Sequence, residues 1–139
     1  MKSEADPITD DEYVLRLIWH EYLTPGPPLK ISDSAFTPKK HEPGGVSLYR
    51  ASCLTDAVET LLVIAAEKRS RYGIASLLVA DLRHLGLTLV PHKNAVVAGH
   101  VMLNELTRAA WEADKARWLP VLSSLAKLAR AKIVLWPSQ

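Results

Sequence analysis

The stretch Ile74-Ala75-Ser76-Leu77-Leu78-Val79-Ala80 is the longest apolar run in the chain, bounded by Gly73 and Asp81. A short run with no alternation of polar and apolar positions is how a central strand covered on both faces reads. It falls far short of the ~20 residues that a membrane-crossing helix needs. The expectation is a sheet packed at the heart of one globular domain.

Upstream of this run, Gly73 serves as the stop of a helix over residues 56–71, capped by Thr55. Leu54, Val58, Leu61, Leu62 and Ala65 would form its buried stripe. Lys68, Arg69 and Arg71 at its end oppose the negative pole of the helix dipole. Before it, residues 46–51 alternate as a strand. Val46, Leu48 and Arg50 face one way, and Ser47, Tyr49 and Ala51 the other.

Downstream, residues 81–86 suit one helical turn, 87–90 a short strand ended by Pro91, and 92–94 a loop. Residues 96–103 fit either a strand or the start of a helix. Residues 105–117 carry opposite charges at helical spacing, as in Arg108 and Glu112. Pro120 suits the first turn of a last helix to about Ala131, with Val121, Leu122, Leu125 and Leu128 inward. Residues 133–136 form a terminal strand stopped by Pro137.

At the other end, residues 1–9 are expected to fray. Asp10 caps a helix over residues 11–23 whose stripe is Val14, Leu15, Ile18, Trp19 and Tyr22, at spacings of three and four. Residues 24–45 then read as loop, with Pro25, Pro27, Pro28, Pro38 and Pro43 beside Gly26, Gly44 and Gly45. Within it, residues 31–36 alternate weakly, as a short edge strand would. So long a connection in a compact domain is functional or mobile. The sum is an α+β domain over residues 10–139, a small mixed sheet of about five short strands packed with three to four helices.

Composition narrows the classes of function. Of 139 residues, 48% are hydrophobic and 23% charged, which is the globular average and argues against disorder. The net charge of +2 is too mild for a nucleic-acid-binding face. Cys53 is the sole cysteine, so no intrachain disulfide forms, in keeping with a reducing, cytoplasmic setting. Glu4, Asp6, Asp10, Asp11 and Glu12 give the first dozen residues the wrong charge for a signal peptide.

No local motif carries chemistry. Gly44-Gly45 precedes a strand rather than opening a helix, so the phosphate-loop and dinucleotide fingerprints fail. His20, His41, His84, His92 and His100 are scattered, so no metal site is expected. His100 stands out, because a polar ring in an apolar segment must find a partner. Ser32, Asp33 and Ser34 form a polar cluster suited to a turn or a ligand-closing loop. Arg16 and Arg83 offer planar forks for an anion. Trp19, Trp111, Trp118 and Trp136 suit core packing or a protein interface.

Several short stretches resemble a recurring pattern in small bacterial proteins of unassigned function. They are Arg16-Leu17-Ile18, Ser34-Ala35-Phe36, Val46-Ser47-Leu48-Tyr49, Ala80-Asp81-Leu82-Arg83, Gly99-His100-Val101 and Leu128-Ala129-Arg130-Ala131. The resemblance implies a bacterial accessory protein with no assigned reaction. Residues 107–119 are extra to that pattern and suit a partner surface. A slighter likeness is to RES-type NAD-degrading domains, in which Arg16, Tyr49 and Glu59 would stand for the early Arg, the Tyr and the helix-borne Glu. The Gly-Gly-Arg-Trp-Asn stretch of that family is absent here.

The leading expectation is a non-catalytic accessory protein acting through a protein partner or a second copy of itself, with no cofactor. Trp111 and Trp118 are its candidate partner surface. The competing expectation is a small enzyme or nucleotide-binding domain, NAD-directed in one variant, with a pocket under the 24–45 loop. Its candidate residues are Arg16, Ser34, Phe36, Ser47, Tyr49, Arg83 and His100.

Overall fold

A computed structural model describes residues 1–94 and 96–138. Six strands form the main sheet. They are β1 (Tyr13–Trp19), β4 (Ser47–Arg50), β5 (Tyr72–Leu78), β6 (Leu89–Pro91), β7 (His100–Leu103) and β8 (Ile133–Leu135). Two more, β2 (Leu23–Thr24) and β3 (Lys30–Ile31), pair separately. The helices α1 (Val79–His84), α2 (Arg108–Ala113) and α3 (Lys115–Arg130) follow in chain order, with five 3-10 segments between the strands.

The main sheet runs β6-β7-β4-β1-β5-β8, and every pairing in it is antiparallel. The α+β class therefore stands. The sheet has one strand more than expected and is antiparallel rather than mixed. The apolar run at 74–80 is a central strand up to Leu78 and then turns directly into α1. The open choice at 96–103 resolves as strand β7 over its second half.

The largest correction lies at residues 11–23, where strand β1 replaces the expected helix. All seven residues of β1 pair with β5, from Tyr13↔Leu78 to Trp19↔Tyr72. Val14 and Ile18 face one core while Leu15 faces another. A strand apolar on both faces loses its period of two, and its residues then satisfy helical spacing by accident.

Residues 56–71 also depart from the expected helix. They form two 3-10 segments, Ala57–Val63 and Ala66–Arg71, separated by extended backbone at Ile64 and Ala65. Asp56, rather than Thr55, is the cap, in a capping box with Glu59. In a 3-10 helix, side chains three apart eclipse. Ala57, Thr60 and Val63 accordingly turn inward, while Val58 and Leu62 of the expected stripe are exposed. Arg69 Nε holds the break by donating to the Leu61 and Ile64 carbonyls.

Two further boundaries move. Helix α3 starts at Lys115, capped by Asp114, so Pro120 lies inside it on the exposed side, where the lost backbone bond faces solvent. Residues 33–36 form a 3-10 turn in place of most of the expected edge strand. The N-terminal segment makes hydrogen bonds to the domain. Buried Arg50 donates to the Asp6 and Pro7 carbonyls and pairs with Glu12, while Gly99 N–H donates to Glu4.

The sheet has a core on each face. Trp118, Leu122, Leu125 and Ala129 of α3 pack on one side with Phe36, Leu48, Leu77 and Leu103. The 51–71 segment covers part of the other, over Leu15, Tyr49 and Ile74. What it leaves uncovered at the β1–β4–β7 end is the mouth of a cavity. No described helix is long and apolar enough to cross a membrane.

Candidate functional site

Strand alternation builds the cavity. Ser47 and Tyr49 are two apart on β4, so their side chains share a face. Tyr49 pairs with His100 of β7, which puts the imidazole on that face and diagonal to Ser47. Leu17 and Trp19 of β1 continue the floor, and Tyr72 of β5 packs edge-on against Trp19 at 5.2 Å between ring centres. Lys39, His41 and Glu42 from the long loop, Val63 and Ile64 from the 3-10 break, and His92 and Asn94 complete the wall. The cavity volume is about 590 Å³, within the usual range for small-molecule pockets.

Pairing between β1 and β4 ends at Leu15↔Tyr49. Beyond it, the Arg16 guanidinium takes over as cross-link. Nη1 donates to Glu42 Oε2 at 2.5 Å and to the Ser47 carbonyl at 3.0 Å. Nη2 donates to Glu42 Oε1 at 3.2 Å, and Nε to the Ala35 carbonyl at 3.0 Å. Arg16 is thus a buried pin between strand and loop, and its fork is not free to clamp an anion. Burial pushes the Glu42 carboxyl upward, but Arg16 and the N–H groups of Ser47 and Lys39 outweigh it and hold the group at about 2.

Lys39 supplies the cation of the cavity wall. Its Nζ lies 4.6 Å from the centre of the Tyr22 ring and donates to Thr37 Oγ1 at 2.7 Å and to the Ser34 carbonyl. Burial, with Arg16 nearby, lowers its amine to about 8.

His100 is satisfied at both nitrogens. Nδ1 lies 2.8 Å from the His92 carbonyl and Nε2 lies 3.0 Å from Ser47 Oγ. A carbonyl can only accept, so Nδ1 carries the proton and Nε2 accepts from the Ser47 hydroxyl. Burial lowers the His100 pKa, which favours this neutral form. Tyr49 lies alongside at 5.1 Å, tilted by 33°.

Two glycines set these strands. Gly45 has φ of +139°, and a Cβ there would lie 2.5 Å from the Leu103 carbonyl oxygen. Gly99 has φ of +79°, and a Cβ there would lie 2.9 Å from Cys53 Cβ. Each precedes a site residue closely, Ser47 and His100 respectively, so close backbone approach places both.

Of the seven candidate residues, Arg16, Ser47, Tyr49 and His100 meet at this cavity. The other three do not. Phe36 is fully buried in the opposite core. Ser34 is exposed, and only its backbone engages Lys39 and Thr37. Arg83 is exposed on α1, bonded to Asp10 and the Ile8 carbonyl. Glu59 accepts the N–H groups of Thr55 and Asp56 and caps its own turn. Trp118 is 7% exposed within the core and Trp111 is half-buried beside it. Trp118 therefore offers no ring to a partner. Among the described residues, no group of three His, Cys, Asp or Glu is arranged to hold a metal ion.

Sequence reasoning missed Glu42, Lys39, His92 and Tyr72. A signal existed for Glu42. An arginine in an apolar strand demands a carboxylate, and the 24–45 loop holds only Asp33 and Glu42 as acids. No family model matches this chain, and neither a curated protein nor a solved structure matches it.

Proposed function

We propose that this chain is a small-molecule-binding domain whose ligand is a small planar anion of nucleotide type. The observation that carries the reading is the convergence of Arg16, Ser47, Tyr49 and His100, from three strands, on one cavity of about 590 Å³. The rings of Trp19, Tyr22, Tyr49 and Tyr72 supply flat apolar walls, which suit a planar group. The charges of Arg16 and Glu42 cancel, which leaves the Lys39 ammonium to favour a negative ligand. The polar groups are few and fixed by their own bonds, so they orient a ligand without large rearrangement.

Thermal melting against a panel of mono- and dinucleotides, NAD included, tests the proposal. A ligand at about 100 times its Kd adds about 2.7 kcal/mol, a rise of several degrees for a domain of this size. The expected result is a rise with at least one nucleotide that disappears in Lys39→Ala and Tyr49→Ala. Melting unchanged by every nucleotide at millimolar concentration, or a rise indifferent to both substitutions, overturns it.

A further inference from the structure

The hydrogen-bonded series Ser47 Oγ–H, His100 and the His92 carbonyl has the form of an activated nucleophile, its base and the group that orients the base. We infer that Ser47 is a nucleophile, with His100 as its general base, for acyl transfer from a small carboxylic ester held in the cavity. The inference rests on the reading of that cavity as a ligand site. It adds a reaction and a substrate class.

Four observations support it. Among the described residues, the Ser47 hydroxyl has His100 Nε2 as its only side-chain partner, at 3.0 Å, which is within the range for proton transfer. The carbonyl at Nδ1 imposes the tautomer in which Nε2 holds a lone pair. Side chains hold the Ser47 backbone on both sides, since its N–H donates to Glu42 Oε2 at 2.8 Å and its carbonyl accepts from Arg16 Nη1. Ser47 is half-buried and lines the cavity, which is the side from which an ester would approach Oγ. A planar acyl or leaving group fits the aromatic walls, and a negative substituent suits Lys39.

The step balances without a further reagent. Oγ attacks the ester carbon and its proton passes to His100 Nε2. The bond from that carbon to the alkoxy oxygen breaks, and the imidazolium returns the proton to the departing alkoxide. Water then attacks the Ser47 ester, again giving a proton to Nε2, and Oγ–H is restored as the acid leaves.

A fluorophosphonate probe tests the dyad without knowledge of the natural ester. Oγ displaces fluoride from phosphorus, and the adduct is read by intact mass and peptide mapping. One adduct on Ser47 is expected, absent in Ser47→Ala and formed about 100-fold or more slowly in His100→Gln. Circular dichroism of each variant confirms that it is folded. Thermal melting with nucleotides is run on the same samples. A wild-type protein that binds a nucleotide yet stays unlabelled overturns the dyad and keeps the ligand site. Labelling at Ser47 with no nucleotide bound keeps the dyad and overturns the nucleotide reading. Labelling at an unchanged rate in folded His100→Gln overturns the base role.

Discussion

Arg16 and Glu42 form a buried two-point ion pair across 26 residues of sequence, with contacts of 2.5 and 3.2 Å. The pair joins β1 to the long loop, and so it sets the position of the Lys39–Glu42 wall against the strands that carry Ser47 and His100. Removing one member leaves the other charged and buried, which costs about 3–5 kcal/mol. Arg16→Met and Glu42→Leu are each expected to lose about that much in urea unfolding. The double variant should lose clearly less than the sum, because it leaves no orphaned charge. Strict additivity would show that the pair does not couple.

The same pair makes the domain acid-sensitive. The Glu42 carboxyl sits at about 2 in the folded chain and near the ordinary 4.5 when unfolded. A lowered folded pKa contributes stability that is complete above about 4.5 and is lost as pH falls toward 2. The shift corresponds to about 3 kcal/mol. Glu12 acts in the same sense. Burial opposes its ionisation, but Arg50 and Ser52 outweigh this and hold it well below the usual carboxylate range. Unfolding midpoints measured from pH 7 down to pH 2 should fall below pH 4.5, and Glu42→Gln should flatten that fall. A midpoint indifferent to pH in this window refutes the assignment.

The sequence was legible where the two faces of a strand differ in chemistry and opaque where they do not. β4 is buried on both faces, but Ser47 and Tyr49 carry hydroxyls on one while Leu48 on the other is aliphatic, so the strand reads directly. β1 is apolar on both sides, so Val14, Leu15, Ile18 and Trp19 fit a helix equally well and only the pairing with β5 decides. The site divides in the same way. Arg16 and His100 announce themselves as polar groups in apolar runs. Their partners do not, since Ser47 lies 53 residues from His100 and no local spacing links them. The 56–71 segment failed for another reason, because its apolar residues suit a period of three as well as one of 3.6.

Gly45 is where backbone geometry controls the nucleophile strand. An alanine there meets both a disfavoured φ and the Leu103 carbonyl at 2.5 Å. Gly86, with φ of +83° and nothing within 4 Å, isolates the first effect alone. Gly86→Ala is expected to cost about 1–2 kcal/mol, and Gly45→Ala more, because β7 must also move. Denaturant unfolding of the two variants checks the order. Equal losses would mean that the β4–β7 contact yields freely. Gly45→Ala should also slow fluorophosphonate labelling, since Leu103 lies on the strand that carries His100.

Lys39 reports on the cavity directly. Burial removes solvation from its ammonium and Arg16 repels it, so its titration falls to about 8 rather than 10.5. Glu42 opposes this by favouring the charged form. Reductive ¹³C-methylation and NMR should therefore show one lysine resonance titrating near 8 that vanishes in Lys39→Ala. Glu42→Gln should move that midpoint lower, because it removes the one favourable charge and leaves Arg16 unpaired. An anionic ligand in the cavity should move it higher, since a negative group beside the amine stabilises its protonated form. A midpoint unaffected by a ligand that raises the melting temperature would place that ligand away from Lys39 and outside this cavity.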